Sequence, residues 1–301
     1  MAPTTDEELD LGDTPDTGIP KAPRVRPPRF AGTHYPADPV ELRRMAGELV
    51  SANATPSPTR RALGLVLPHG PWSYVGRLAG PALARGVLEE TVVVLAPNHE
   101  GRGPRSAIVC DGAYVLPGGA QVPIEESLAE SIRALGGLAE APEVFTAEHA
   151  IEDLLPLLVA KQSRLSIVPI AIYDVSPASA ARIGAALADA IVGRGGGVTL
   201  VATTDLAHYV PREAIPTLAE PIAEAARALD EDALVDAFRA RLDGRTPIVE
   251  TCGLGALLTF VHAMRALGGA PGELVARGHS GEVEPDAKAV VAWASLFYPR
   301  A

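Results

Sequence analysis

The sequence has only two cysteines, Cys110 and Cys252, among 301 residues. Two thiols cannot build a disulfide framework, and such sparse use fits a reducing cytoplasm. Long apolar runs are also missing. The longest, 62–68 and 91–97, fall far short of the roughly 20 residues that a membrane span requires. No charged segment followed by an apolar one opens the chain, so no secretory signal is expected. Excess positive charge is lacking too. A formal net charge of −11 argues against a nucleic-acid partner, because that contact depends on clustered Lys and Arg neutralising phosphates. There is no GxxxxGK[ST] loop, no GxGxxG after a strand and no GxSxG elbow. Nucleotide binding and serine hydrolysis therefore lack positive support.

What is present is a large apolar fraction, 47%, enough for a sizeable core. Residues 1–28 mix Asp6, Glu7, Glu8, Asp10, Asp13 and Asp16 with six prolines, and read as a disordered acidic tail. A single domain is expected over 29–301. Asp38 as N-cap and Pro39 at the first position predict a helix to residue 52. Further helices are predicted over 76–88, 125–135, 151–162, 178–192, 221–240 and 253–267. Strands are predicted over 62–67, 91–96, 106–115, 165–173, 198–203 and 288–297. Strands that are continuous apolar runs are usually covered on both faces. Their alternation with helices predicts a three-layer α/β/α sandwich with a mixed, partly parallel sheet.

Three strand ends share a feature. The run Leu65-Val66-Leu67-Pro68 leads into His69, and Val93-Val94-Leu95-Ala96-Pro97-Asn98 leads into His99. The strand over 198–203 leads through Thr204-Asp205-Leu206-Ala207 to His208. In open α/β sheets ligands bind beyond the carboxyl ends of strands, so these histidines nominate one pocket. His149 opens a helix within Glu148-His149-Ala150-Ile151-Glu152-Asp153. Cys252 precedes another helix, a position that lowers thiol pKa values, whereas Cys110 lies inside an apolar strand and reads as core. His262 reads as structural, and spacing names no partner for His34 or His279. Imidazoles with a thiolate suit iron, copper or zinc, and ligand type alone does not choose among them.

The order of these motifs resembles the Memo family, whose prokaryotic members are called AmmeMemoRadiSam system protein B. The matching segments are Ala31-Gly32-Thr33-His34-Tyr35-Pro36, Pro68-His69-Gly70 with Tyr74 and Gly76, Pro97-Asn98-His99 and Leu116-Pro117-Gly118. They continue with Glu148-His149-Ala150-Ile151-Glu152, Leu155-Pro156, Val168-Pro169-Ile170 and Thr203-Thr204-Asp205-Leu206-Ala207-His208-Tyr209. Thr251-Cys252-Gly253 and Ser280-Gly281-Glu282 complete the series. Two positions depart from the family pattern: Pro71-Trp72 replaces a Gly-Tyr pair, and His34 stands where another aromatic is usual. The resemblance implies a fold like that of the class III extradiol dioxygenases. It implies a mononuclear metal held by His69, His99 and Cys252, with iron expected and copper or zinc as alternatives. His208 would be an acid/base group, with Asp205 and His149 shaping the pocket. It also implies association with a radical-SAM protein and an AMMECR-type protein.

Two functional classes follow. One is a metal-dependent oxidoreductase acting on a small molecule or peptide. The other is a non-catalytic module that binds a peptide or protein in the same crevice, with the acidic tail available to a basic partner. A zinc hydrolase would need Glu148 or Asp205 to activate water, and no HExxH helix supports it.

Overall fold

The computed structural model describes residues 24–52, 60–239 and 252–300. Four strands, buried along their length save for Ser166, form the parallel centre of a mixed sheet: β2 (Ala62–Leu67), β3 (Thr91–Pro97), β8 (Ser166–Ile172) and β9 (Val198–Thr203), in the spatial order β2-β9-β3-β8. Their apolar runs carry β-branched and aliphatic side chains to both faces, as strands between two helical layers must. On one side β12 (Val290–Pro299) pairs antiparallel with β2, and itself pairs with β10 (Ala207–Val210) and β11 (Glu273–His279). On the other side β4 (Ser106–Ile108) runs antiparallel to β8 and pairs with β7 (Ala139–Glu140).

One helical layer consists of α1 (Pro39–Ser51), α2 (Trp72–Ala84) and α4 (Ala150–Lys161). The other consists of α3 (Glu126–Gly136), α5 (Pro177–Gly193) and α9 (Leu254–Ala266). The three-layer α/β/α sandwich expected from the sequence is the observed architecture. Three short helices, α6 (Ile215–Leu218), α7 (Glu220–Ala228) and α8 (Glu231–Arg239), flank β11 and α9. No helix among the described residues is long and apolar enough to cross a membrane.

Asp38 caps α1 as anticipated, its carboxylate accepting from Val40 N and Glu41 N at 2.9 and 2.8 Å. Helices α1 and α2 approach closely at Gly80, where a Cβ would lie 2.2 Å from the Leu49 carbonyl oxygen. Gly80→Ala is expected to force these helices apart at about 1–3 kcal/mol. Chemical denaturation should show a lower midpoint with an unchanged slope. An unaltered midpoint would mean the contact relaxes freely.

The structure corrects several expectations. The tail was expected to reach residue 28, yet Val25–Arg26 forms β1 beside β5 (Ala113–Val115); residues 1–23 lie outside the described residues. The strand expected over 106–115 is two strands in different sheets, β4 in the main sheet and β5 in a small one with β1 and β6 (Gln121–Pro123). Gly112 makes the break, with φ +102 and the Arg24 carbonyl oxygen where a Cβ would sit. The helix expected over 221–240 is divided into α7 and α8 by Leu229, which adopts φ +56. Helix α2 begins at Trp72, four residues before the expected start.

Candidate metal centre

Strand β9 lies between β2 and β3, so the carboxyl ends of three adjacent parallel strands open on one crevice. His69 follows β2, His99 follows β3 and Asp205 follows β9. Cys252 joins them because it precedes α9, whose start lies against the end of β9: the Gly253 N–H donates to the Thr204 hydroxyl at 3.2 Å. A Cβ at position 253 would stand 2.5 Å from the Thr203 carbonyl oxygen, so glycine is what lets the cysteine loop reach the strand end. His208 is placed differently from expectation. It lies within β10 rather than at the end of β9, in a bulged pairing with β12.

The donor atoms of His69, His99 and Cys252 all lie within 4.8 Å of one another. Cys252 Sγ is 3.5 Å from His69 Nε2. A tetrahedral ion with metal–N bonds of about 2.05 Å and a metal–S bond of about 2.3 Å would set N and S about 3.6 Å apart. The donor set therefore fits a metal in both type and separation.

Second partners fix which atom each imidazole offers. Thr203 Oγ1 donates to the Leu67 carbonyl at 2.8 Å, so its lone pair accepts from His69 Nδ1 at 2.9 Å. That bond leaves His69 Nε2 as the free nitrogen. His99 Nδ1 lies 2.9 Å from Glu148 Oε1, with the same consequence. Glu148 also accepts the backbone N–H groups of His99 and Ala150, at 2.8 and 2.9 Å. Thr203→Val removes the anchor of His69 while keeping side-chain volume. It is expected to weaken metal affinity by roughly 10–100-fold. Competition against a chromophoric chelator measures this, and an unchanged constant would remove Thr203 from the site.

Burial holds the His69 imidazole well below its ordinary pKa, and the neighbouring His99, His149 and His208 add to the effect. A neutral imidazole is the form that ligates. Burial raises the Glu148 carboxyl, but the hydrogen bond and charge of His99, with the two backbone N–H groups, outweigh it and leave a net lowering. Cys252 goes against expectation. Burial, then the Asp205 carboxylate, push its thiol well above the ordinary value, overriding the helix start and the Asp205 N–H that donates to Sγ at 3.3 Å. A coordinating cation reverses that preference.

The centre opens into a cavity of about 480 Å³ lined by His34, His69, His99, His149, Asp205, His208 and Trp293, among others. Asp205 is held by Trp293 Nε1 at 2.6 Å and reaches His208 Nε2 at 2.5 Å through its other oxygen. His149 stacks on His99 with ring centroids 4.6 Å apart and 9° between planes. Tyr209, next to His208, has φ +52 and is largely exposed at the cavity wall. This conformation is costly for a bulky residue and clusters at functional sites.

Sequence reasoning missed four participants. Asp153 accepts from His34 and His149, and its place four residues after His149 on a helix was the available signal. Thr203 lay inside a matched motif without a role. Trp293 gave no signal. Arg26, inside the expected tail, donates to the carbonyls of Phe145 and Glu148, both at 2.7 Å, and pairs with Glu152.

The sequence profile of Memo-like proteins matches residues 26–297. The chain belongs to the Memo-like protein family. A MEMO1 family protein of Methanopyrus kandleri is 31% identical over 292 residues, covering 91% of this chain and 99% of that protein. One of Thermotoga maritima is 32% identical over 256 residues, covering 79% and 87% respectively. Among solved structures, an uncharacterized protein of Escherichia coli K12 aligns over 78% of this chain and 98% of its own, at 15% identity and a TM-score of 0.48. The Memo-family segments singled out in the sequence thus include His69, His99, Glu148, Asp205 and Cys252, all of which meet at the crevice.

Proposed function

We propose that this Memo-family protein holds one metal ion, iron in preference to copper or zinc, between His69, His99 and Cys252. Its use there is redox chemistry on a small molecule or peptide in the adjoining cavity. The observation that carries this reading is the convergence of three donors from three separate elements, with each imidazole's other nitrogen already bonded. Three protein donors beside an open cavity suit catalysis better than a closed structural site.

Bound iron with open positions supplies one-electron chemistry and a place for oxygen or substrate. The chain's own residues supply the rest. Asp205, fixed by Trp293, orients the His208 imidazole, which makes His208 the residue to hold or move a proton at the cavity wall. His149, anchored to Asp153 at Nδ1, presents Nε2 to whatever occupies the cavity. Burial of His69 keeps water from one side of the donor set.

Anaerobic protein loaded with ferrous iron is expected to bind nitric oxide, a stand-in for oxygen, and to show the paramagnetic signal of the adduct. Absence of the signal, or zinc as the sole metal in protein purified without added metal, would overturn the redox reading. A metal-free protein that still retains a peptide in this cavity would be a binding module instead. Association with a radical-SAM protein and an AMMECR-type protein belongs to the same proposal and is supported by family membership. Co-purification of tagged protein with each checks it.

A further inference from the structure

Beside the proposed centre, the same cavity contains a second histidine pair organised in the same way. His34 Nδ1 and His149 Nδ1 each lie 2.8 Å from Asp153, one on each carboxylate oxygen. Donation to Asp153 makes each Nε2 the unprotonated nitrogen. Neither Nε2 has a hydrogen-bond partner among the described residues, and both rings line the cavity. Carboxylate–histidine pairing of this kind orients metal ligands, and here it occurs on two imidazoles outside the first donor set. The rings of His34 and His149 stand edge to face with centroids 5.1 Å apart.

Charge points the same way. Glu148, Asp153 and Asp205 are buried around one cavity, and none of their side-chain hydrogen bonds goes to Lys or Arg. A divalent ion bound through the Cys252 thiolate contributes a net charge of about +1 against these three carboxylates. Buried carboxylates require compensation, and a further cation provides it.

We propose that His34 and His149, held by Asp153, form a second divalent-cation site next to the His69–His99–Cys252 centre. This site uses no donor of the first set, and only its charge balance rests on the proposed function. With two protein ligands it is the weaker site, filled when metal is added and not retained through purification.

Titration of the metal-free, full-length protein with Co²⁺ tests the proposal. Thiolate coordination gives a near-ultraviolet charge-transfer band, whereas a site of imidazoles and water gives only weak visible bands. The expected result is two equivalents, the tighter one with the thiolate band and the second without it. His34→Phe keeps a ring beside Phe30 and should reduce the stoichiometry to one while the thiolate band persists. Cys252→Ser should remove the band and leave one equivalent. A single equivalent in the wild type that carries the thiolate band, or a second one unaffected by both His34→Phe and His149→Phe, would overturn the second site. Loss of the thiolate band from the wild type, with the second equivalent intact, would overturn the first centre instead.

Discussion

Cys252→Ser, and separately His69→Ala, are expected to yield protein that carries less than about 0.1 equivalent of metal after purification without added metal, against near-stoichiometric metal in the wild type. Each change deletes one of three protein donors, so its effect must exceed the roughly 10–100-fold attached to a second-shell residue. The fold should survive both. The Thr203 hydroxyl retains its bond to the Leu67 carbonyl when the imidazole is gone, and serine can still accept from the Asp205 N–H that now meets sulfur. Far-ultraviolet circular dichroism therefore accompanies elemental analysis. Cys110→Ser is the matched control, because burial pushes that thiol up to about 12 and it sits in core packing away from the crevice. Native-like variants with undiminished metal would place the ion elsewhere. Metal loss in Cys110→Ser alone would do the same.

The parts of this architecture legible in the sequence were those fixed by local pattern. β2, β3 and β9 are continuous apolar runs, and the rule that ligands gather at carboxyl ends led directly to His69, His99 and His208, with Asp205 entering through the family resemblance. Cys252 was singled out by its place before a helix, but its pairing with His69 came only through the family motif, since that approach spans 183 residues and depends on how α9 packs. Arg26 was not legible, because its acidic, proline-rich surroundings look unfolded and its partners lie 119 to 126 residues away. His34 had no nameable partner for the same reason: Asp153 is 119 residues distant. Leu229 offered no glycine to mark the end of α7. Position within a strand, rather than after one, separates His208 from the two other strand-end histidines, and only the bulged pairing of β10 with β12 reveals it. The thiol's raised pKa was misjudged because helix position is a local signal, whereas burial and the Asp205 charge are tertiary ones.

Acid should destabilise the metal-free protein in a window set by His69. Its folded-state pKa is lowered, mainly by burial and then by the neighbouring imidazoles, whereas in the unfolded chain it titrates near about 6.5. Above that pH both states carry a neutral ring and His69 adds no pH dependence. Below it the unfolded chain binds a proton that the folded one refuses, so stability falls as pH falls, by up to about 1.4 kcal/mol per pH unit. Glu148 acts in the same direction but at lower pH. Its net-lowered carboxyl contributes stability above the unfolded carboxylate range, and that contribution is lost as pH falls through the folded value. Urea unfolding of metal-free wild type and His69→Gln, between about pH 7.5 and about pH 3, separates the two contributions. The variant should lose the slope that begins near about pH 6.5 and keep the lower one. If the two proteins have superimposable pH profiles, the imidazole is not held neutral by the fold. Added metal should steepen the wild-type profile, because an ion that binds only the neutral ring is released by the same proton.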